Sequence, residues 1–249
     1  AVSYGYQQIN LNIGCPSEKV AGESGFGAAL YLNPPLVAEL ALSVYEATHK
    51  PTTIKCRIGV NDHESYEELY NFIRLVSEVG KVEHFIVHAR IAILDPEFTP
   101  KNNRNIPPLK YDVVYRLMQD FPHLKFTLNG GVPNMKTVQE LLKEHPQLEG
   151  VMVGRAIMSN PFGWSRADSL LYKTKDPGLS RVDVLTKYAK HCAKQEKKHD
   201  MHFSRTLIKP IYHLFHSRPP DIPFRKSLDH SMKTEHTAYD AIMFAIEKH

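Results

Sequence analysis

Lys125-Phe126-Thr127-Leu128-Asn129-Gly130-Gly131, then a helical stretch from Met135 to Lys143, then Gly150-Val151-Met152-Val153-Gly154-Arg155, reads as strand, helix and strand in succession. Each strand ends on glycine and a polar residue, and the connection is long enough only for a crossover between parallel strands. Three earlier runs repeat the pattern: Gln8 to Ile13, Thr52 to Ile58 and His84 to His88 are short, apolar and β-branched. Between them, Pro35 to Thr48 repeats apolar residues at Leu36, Leu40 and Val44, and Ser65 to Val79 at Leu69, Phe72, Ile73 and Val76. Asp112 to Gln119 is a third helix. The class is therefore α/β with a parallel sheet.

The chain has 249 residues, of which 42% are hydrophobic and 23% charged, so it can bury a core and is not a disordered chain. A closed (β/α)₈ barrel needs eight strands, and five are visible. Either the sheet is open and doubly wound, or the chain holds the later part of a barrel. Barrel enzymes bind phosphate at the loops after the seventh and eighth strands. If the Gly130-Gly131 and Gly154-Arg155 turns are those loops, the five strands are the fourth to eighth, and the expectation is the last five βα units with the first three absent.

After Arg155 the alternation stops. Lys173-Thr174-Lys175-Asp176-Pro177-Gly178 punctuates the chain, and the helical patterns Val182 to Lys198, Ser204 to His216 and Thr234 to Lys248 follow. The expected division is a barrel-type domain at 1–178 and an all-helical domain at 179–249. The net charge of +4 is not evenly spread: residues 1–180 hold 18 Lys+Arg against 19 Asp+Glu, whereas 181–249 hold 13 against 8 together with eight of the fourteen histidines. A neutral body with a basic appendage suggests a polyanionic partner, with a merely solvated basic surface as the alternative.

No apolar run approaches the roughly 20 residues that span a bilayer, so no membrane is expected. Cys15, Cys56 and Cys192 are too few and too scattered for a disulfide framework or a zinc site, and no His/Asp/Glu cluster has metal-ligand spacing. A reducing intracellular compartment is expected, the cytoplasm first and an organelle as alternative.

Polar residues cluster at the C-terminal ends of the strands, where parallel α/β folds place their sites. Cys15, in Gly14-Cys15-Pro16, sits directly after a strand and can serve as nucleophile or proton donor. Lys55 lies inside a strand, where a cation needs an anionic or polarised partner, and His88 ends the next strand. The backbone of Gly130, Gly131 and Gly154, with Arg155, can approach an anion closely.

Asn10-Leu11-Asn12-Ile13-Gly14-Cys15-Pro16-Ser17, Lys55-Cys56-Arg57-Ile58-Gly59, Phe85-Ile86-Val87-His88-Ala89-Arg90, Asn103 to Leu109, Asn129-Gly130-Gly131 and Val151-Met152-Val153-Gly154-Arg155 resemble, in order and spacing, the tRNA-dihydrouridine synthases, closest to the A type. The likeness continues through Ile208-Lys209-Pro210, Leu214-Phe215-His216 and Phe224-Arg225-Lys226. The resemblance implies a TIM-barrel flavoprotein that reduces a uridine of the tRNA D-loop to 5,6-dihydrouridine, with FMN as cofactor and NADPH as reductant. Hydride reaches C6 from the reduced flavin, and Cys15 matches the cysteine that protonates C5. It also implies that Lys55 and His88 contact the flavin, that Asn129, Gly130, Gly131, Gly154 and Arg155 hold its phosphate, and that Asn12, Lys101, Arg104, Arg225 and Lys226 contact tRNA. The basic helical domain would be the tRNA grip of a monomer. The family's Pro-Met turn and ring-side glutamine have no counterpart here, and Ile91 stands where A-type members usually carry Lys. A catalytically incompetent fragment or RNA-binding remnant, and another FMN-dependent barrel oxidoreductase, are the alternatives.

Overall fold

The computed structural model describes residues 1–22, 25–199, 205–235 and 237–248. Five strands, β1 (Ile9–Ile13), β2 (Thr52–Arg57), β3 (His84–His88), β4 (Lys125–Asn129) and β5 (Gly150–Met152), form one parallel sheet in sequential order. Helices Pro34–Thr48, Tyr66–Glu78, Tyr111–Asp120 and Met135–Glu144 make the crossovers. This is the expected architecture of consecutive βα units of the TIM-barrel type, followed by a helical C-terminal region.

Register sorts the strand residues onto two faces. Thr53 pairs with Asn10 and His84, Lys55 with Asn12 and Ile86, and Arg57 with His88, which pairs in turn with Asn129. Since side chains alternate along a strand, these residues share one face, and hydrogen bonds from Asn10 Nδ2 to Thr53 Oγ1 (2.9 Å) and between His84 Nε2 and Thr127 Oγ1 (2.8 Å) run across it. The opposite face is apolar: Ile13, Ile54, Cys56, Phe85, Val87, Phe126 and Leu128 are buried there.

Local signals place the helices. Asn33 accepts from Leu36 N–H at 3.3 Å and Pro34 opens the first helix, while Ser65 and Glu68 close a capping box at the start of the second. The second helix buries Leu69, Phe72, Ile73 and Val76 as its periodicity predicts. The first does not follow its prediction. It buries Val37, Ala38 and Ala41, and Leu36 faces outward. A Cβ on Gly80 would come within 3.1 Å of Ala38 Cα, so the backbones approach too closely there for leucine, and the small residues turn inward.

The chain forms two compact units, residues 1–132 with 140–153 and residues 133–139 with 154–249. The division falls at Val153/Gly154, ahead of the Pro177-Gly178 punctuation. In the second unit Leu185, Ala189, Cys192, Ile208, Phe224, Leu228, Ile242 and Ala245 make the core, between helices Arg181–His199, Asp221–Thr234 and Ala238–Glu247. The predicted helix Ser204 to His216 is only the turn Arg205–Ile208 and a 3₁₀ turn Lys209–Ile211, because Pro210 supplies no N–H and crowds the preceding turn; Ser204 lies outside the described residues. The helix Asp221–Thr234 is not among the helical patterns read from the sequence: Pro223 sits in its first turn, where a missing N–H breaks no intrahelical bond. The last helix starts at Ala238, four residues after its predicted start.

Candidate active site

Of the predicted residues, the first unit carries Asn12, Lys55, His88 and Asn129 in the C-terminal halves of its strands and Cys15, Gly130 and Gly131 just beyond them, with Lys101 and Arg104 in the long connection after β3, at its one-turn helix Asn102–Asn105. Cys15 is a free, partly exposed thiol, whereas Cys56 and Cys192 are buried, as packing residues should be.

The main chain around Cys15 is held on every side. Asn12 Oδ1 accepts from the N–H groups of both Gly14 and Cys15 at 3.1 Å, so this side chain, read from the sequence as a substrate contact, ties down the cysteine turn. Arg57 Nε donates to the Gly14 carbonyl at 3.2 Å, and Ala28 N–H donates to the Cys15 carbonyl at 2.9 Å. Pro16 keeps Cys15 out of the α region. Gly27, at φ +61°, closes the loop from behind: a Cβ there would lie 2.5 Å from the Cys15 carbonyl oxygen. Such a site fixes the direction of the Cα–Cβ bond and leaves the thiol its χ1 rotation.

Arg57 is 3% exposed and is missing from the predicted site. Besides Gly14, its Nη1 donates to the carbonyls of Ile91 (3.2 Å) and Asn103 (3.0 Å). Burial, with Arg90 adding to it, lowers its pKa to about 10, still charged at neutral pH. Lys55 is half-buried on the same face, and its pKa is lowered first by burial and then by Arg57. The sequence marked Arg57 as a polar strand residue, but its three acceptors are 34 to 46 positions away, so no local signal reveals the clamp.

The turn after β4 is built for close approach. Gly130 and Gly131 have φ of +117° and +70°, and a Cβ on Gly130 would stand 2.6 Å from His88 Cδ2. Tyr111, another residue missing from the prediction, donates its hydroxyl to the Gly130 carbonyl. Because a trans peptide points its C=O and N–H in opposite directions, the Gly131 N–H faces away from Tyr111. Asn129 Nδ2 donates to the Met152 carbonyl at 2.8 Å and joins β4 to β5.

In the loop after β3, the fully buried Asn103 accepts from Ile93 N–H at 2.8 Å and donates to the carbonyls of Ile93 (2.8 Å) and Phe98 (3.2 Å). Lys101 is exposed beside it, and Arg104 is half-buried. Arg90 donates to the Pro107 carbonyl and holds the loop's other end.

The remaining predicted residues belong to the second unit. Gly154 precedes the short helix Arg155–Ser159 in open space, and Arg155 is exposed. Arg225 is partly exposed: its Nη2 pairs with Asp221 Oδ2 at 3.2 Å, and its guanidinium lies 5.8 Å from the Tyr212 ring centre. Lys226 is exposed. Among the described residues no helix is long and apolar enough to cross a membrane.

A family model described as dihydrouridine synthase (Dus) matches residues 1–247. Curated relatives named tRNA-dihydrouridine(20/20a) synthase include that of Vibrio parahaemolyticus, 42% identical over 181 residues, covering 73% of this chain and 54% of the relative. That of Escherichia coli O6:H1 is 42% identical over 185 residues, covering 74% of this chain and 54% of the relative. That of Vibrio cholerae is 35% identical over 246 residues, covering 98% and 72%. The chain spans about half the length of the first relatives it matches. With its parallel βα units, its pinned cysteine turn and a match running from end to end, the chain belongs to the dihydrouridine synthase family.

Proposed function

We propose that this chain carries the reduction of uridine to 5,6-dihydrouridine in tRNA, with Cys15 as the proton donor to C5 of the uracil. The observation that carries the reading is the Cys15 turn: a partly exposed thiol whose flanking peptides are held by Asn12, Arg57 and Ala28, at the strand ends that bear Lys55 and His88. A proton donor needs this fixed reach, since general acid catalysis requires the acid within hydrogen-bond distance of the developing carbanion. A uracil must leave its stack to meet such a group.

The residues fit an FMN. The glycine turn after β4 has a conformation that side chains rarely adopt, and its Gly130 carbonyl is turned aside by Tyr111, which suits a phosphate on the Gly131 side. Asn129, Gly130 and Gly131 would hold that phosphate, with the same role proposed for Gly154 and Arg155, while Lys55 and His88 would face the ring or its chain. When bound, the flavin supplies hydride to C6, with NADPH as the expected reductant. Asn12, Lys101, Arg104 and Lys226 are proposed tRNA contacts. Arg225 is proposed as a further tRNA contact, with its Nη2 paired to Asp221. The helical region 179–249 is proposed as the tRNA grip.

Purified chain should take up FMN, seen as flavin absorbance, and form dihydrouridine on tRNA. Cys15→Ala should keep the flavin and lower product formation by about 10²-fold or more. Unchanged product formation would overturn the proton-donor role, and refusal of FMN would overturn the cofactor assignment.

A further inference from the structure

The geometry assigns Arg57 as a positioning residue: its guanidinium sets the direction of the Cys15 side chain and links that direction to the loop that carries Lys101 and Arg104. This builds on the reading of Cys15 as the acid.

The Gly14 C=O and the Cys15 N–H are the two edges of one rigid peptide plane. Asn12 holds the N–H edge and Arg57 the C=O edge. Rotation of that plane changes φ of Cys15 and swings its Cβ. The two holders differ in what they refer to. Asn12, in β1, is three residues from Cys15 and holds the turn to its own strand, whereas Arg57, in β2 and 43 residues from Gly14, ties the turn to the neighbouring strand.

The same fork reaches the Ile91 and Asn103 carbonyls. A guanidinium is planar and presents its donors at fixed angles, so displacing one acceptor either rotates the group or breaks a bond. Asn103 closes its own loop through Ile93 and Phe98, so a pull on the neighbouring Lys101 or Arg104 is passed to the Asn103 carbonyl and on to Arg57. An RNA backbone held at those two side chains would then be felt at the cysteine.

The test reads Cys15 without needing the reaction. Iodoacetamide labelling of Cys15 is followed by mass spectrometry in the full chain, alongside steady-state kinetics on tRNA. Arg57→Lys keeps the positive charge but not the three-way fork. It should change the labelling rate about threefold or more and lower kcat about tenfold, with KM for tRNA little changed. Asn103→Asp keeps the acceptor to Ile93 N–H and loses the two donated bonds. It should also move Cys15 labelling about threefold, although it touches no atom of the cysteine turn. Wild-type labelling and kcat in Arg57→Lys would reduce Arg57 to a charge and overturn the proposal. Unchanged labelling in Asn103→Asp would overturn the link to the loop, and this variant decides alone if Arg57→Lys does not fold. Should the acid be another group, Cys15→Ala would still form product while the labelling results stood.

Discussion

The sheet unit and the helical unit differ in where they spend their polar residues. In the first, Asn12, Arg57, Asn103 and Tyr111 spend their hydrogen bonds on main-chain carbonyls and amides from 2 to 46 positions away, and each bond sharpens the path of a loop. In the second, the core from Leu185 to Ala245 is apolar apart from the buried Glu196 and Ser231, and Lys226 lies outside it. In the first unit these bonds fix the loops at the strand ends, as the proposed chemistry needs. In the second, the exposed Lys226 suits the proposed grip on a phosphate backbone, which depends on counterion release and needs no fixed geometry.

The largest blow to this contrast is a methyl group at the glycine turn. Gly130→Ala places a side chain at φ +117° and within 2.6 Å of His88, and should destabilise the sheet unit by about 4 kcal/mol. Residue-resolved amide exchange should show the loss over β3 and β4 with the Leu185 to Ala245 core protected as before. Equal loss in both units would mean that they unfold as one.

Glu196 sharpens the comparison, because it carries the sheet unit's habit into the helical unit, as Arg181, Tyr188 and Ser231 do in donating to the Leu214, Leu207 and Ala241 carbonyls. This carboxylate is 9% exposed, and its Oε1 accepts from Ala238 N–H at 2.8 Å, at the start of the last helix. Glu196→Gln keeps an acceptor but removes a negative charge from a helix N-terminus, and should cost about 1 kcal/mol in denaturant melts. A neutral result would show that the packing alone sets that helix.

The smallest expected effect on stability is at the exposed rim. Lys226→Glu should leave stability within about 0.5 kcal/mol while weakening tRNA binding and reducing its salt slope by about 1. An unaltered slope would remove Lys226 from the RNA grip.

These contrasts also explain which parts were readable in the sequence. All five strands and the second crossover helix were legible because alternation and 3.6-residue periodicity are local properties. The cysteine and the glycine turns were legible because they follow strands directly. The buried face of Pro34–Thr48 was not, since it depends on Ala38 meeting Gly80, a contact made only once the crossover has folded. Arg57 and Tyr111 escaped for the same reason: what they do is set by carbonyls brought near by the sheet. Arg225 adds a partner that the sequence does not announce: Asp221, one helical turn earlier, takes its Nη2.

The two faces of β2 imply a form of evolutionary freedom. Thr52, Ile54 and Cys56 support the helices, while Thr53, Lys55 and Arg57, the alternate positions, face the proposed site. Two demands are therefore interleaved in six residues without sharing a position. Substitution in one set can retune the proposed site while the other keeps the molecule folded, so change there does not first require surplus stability.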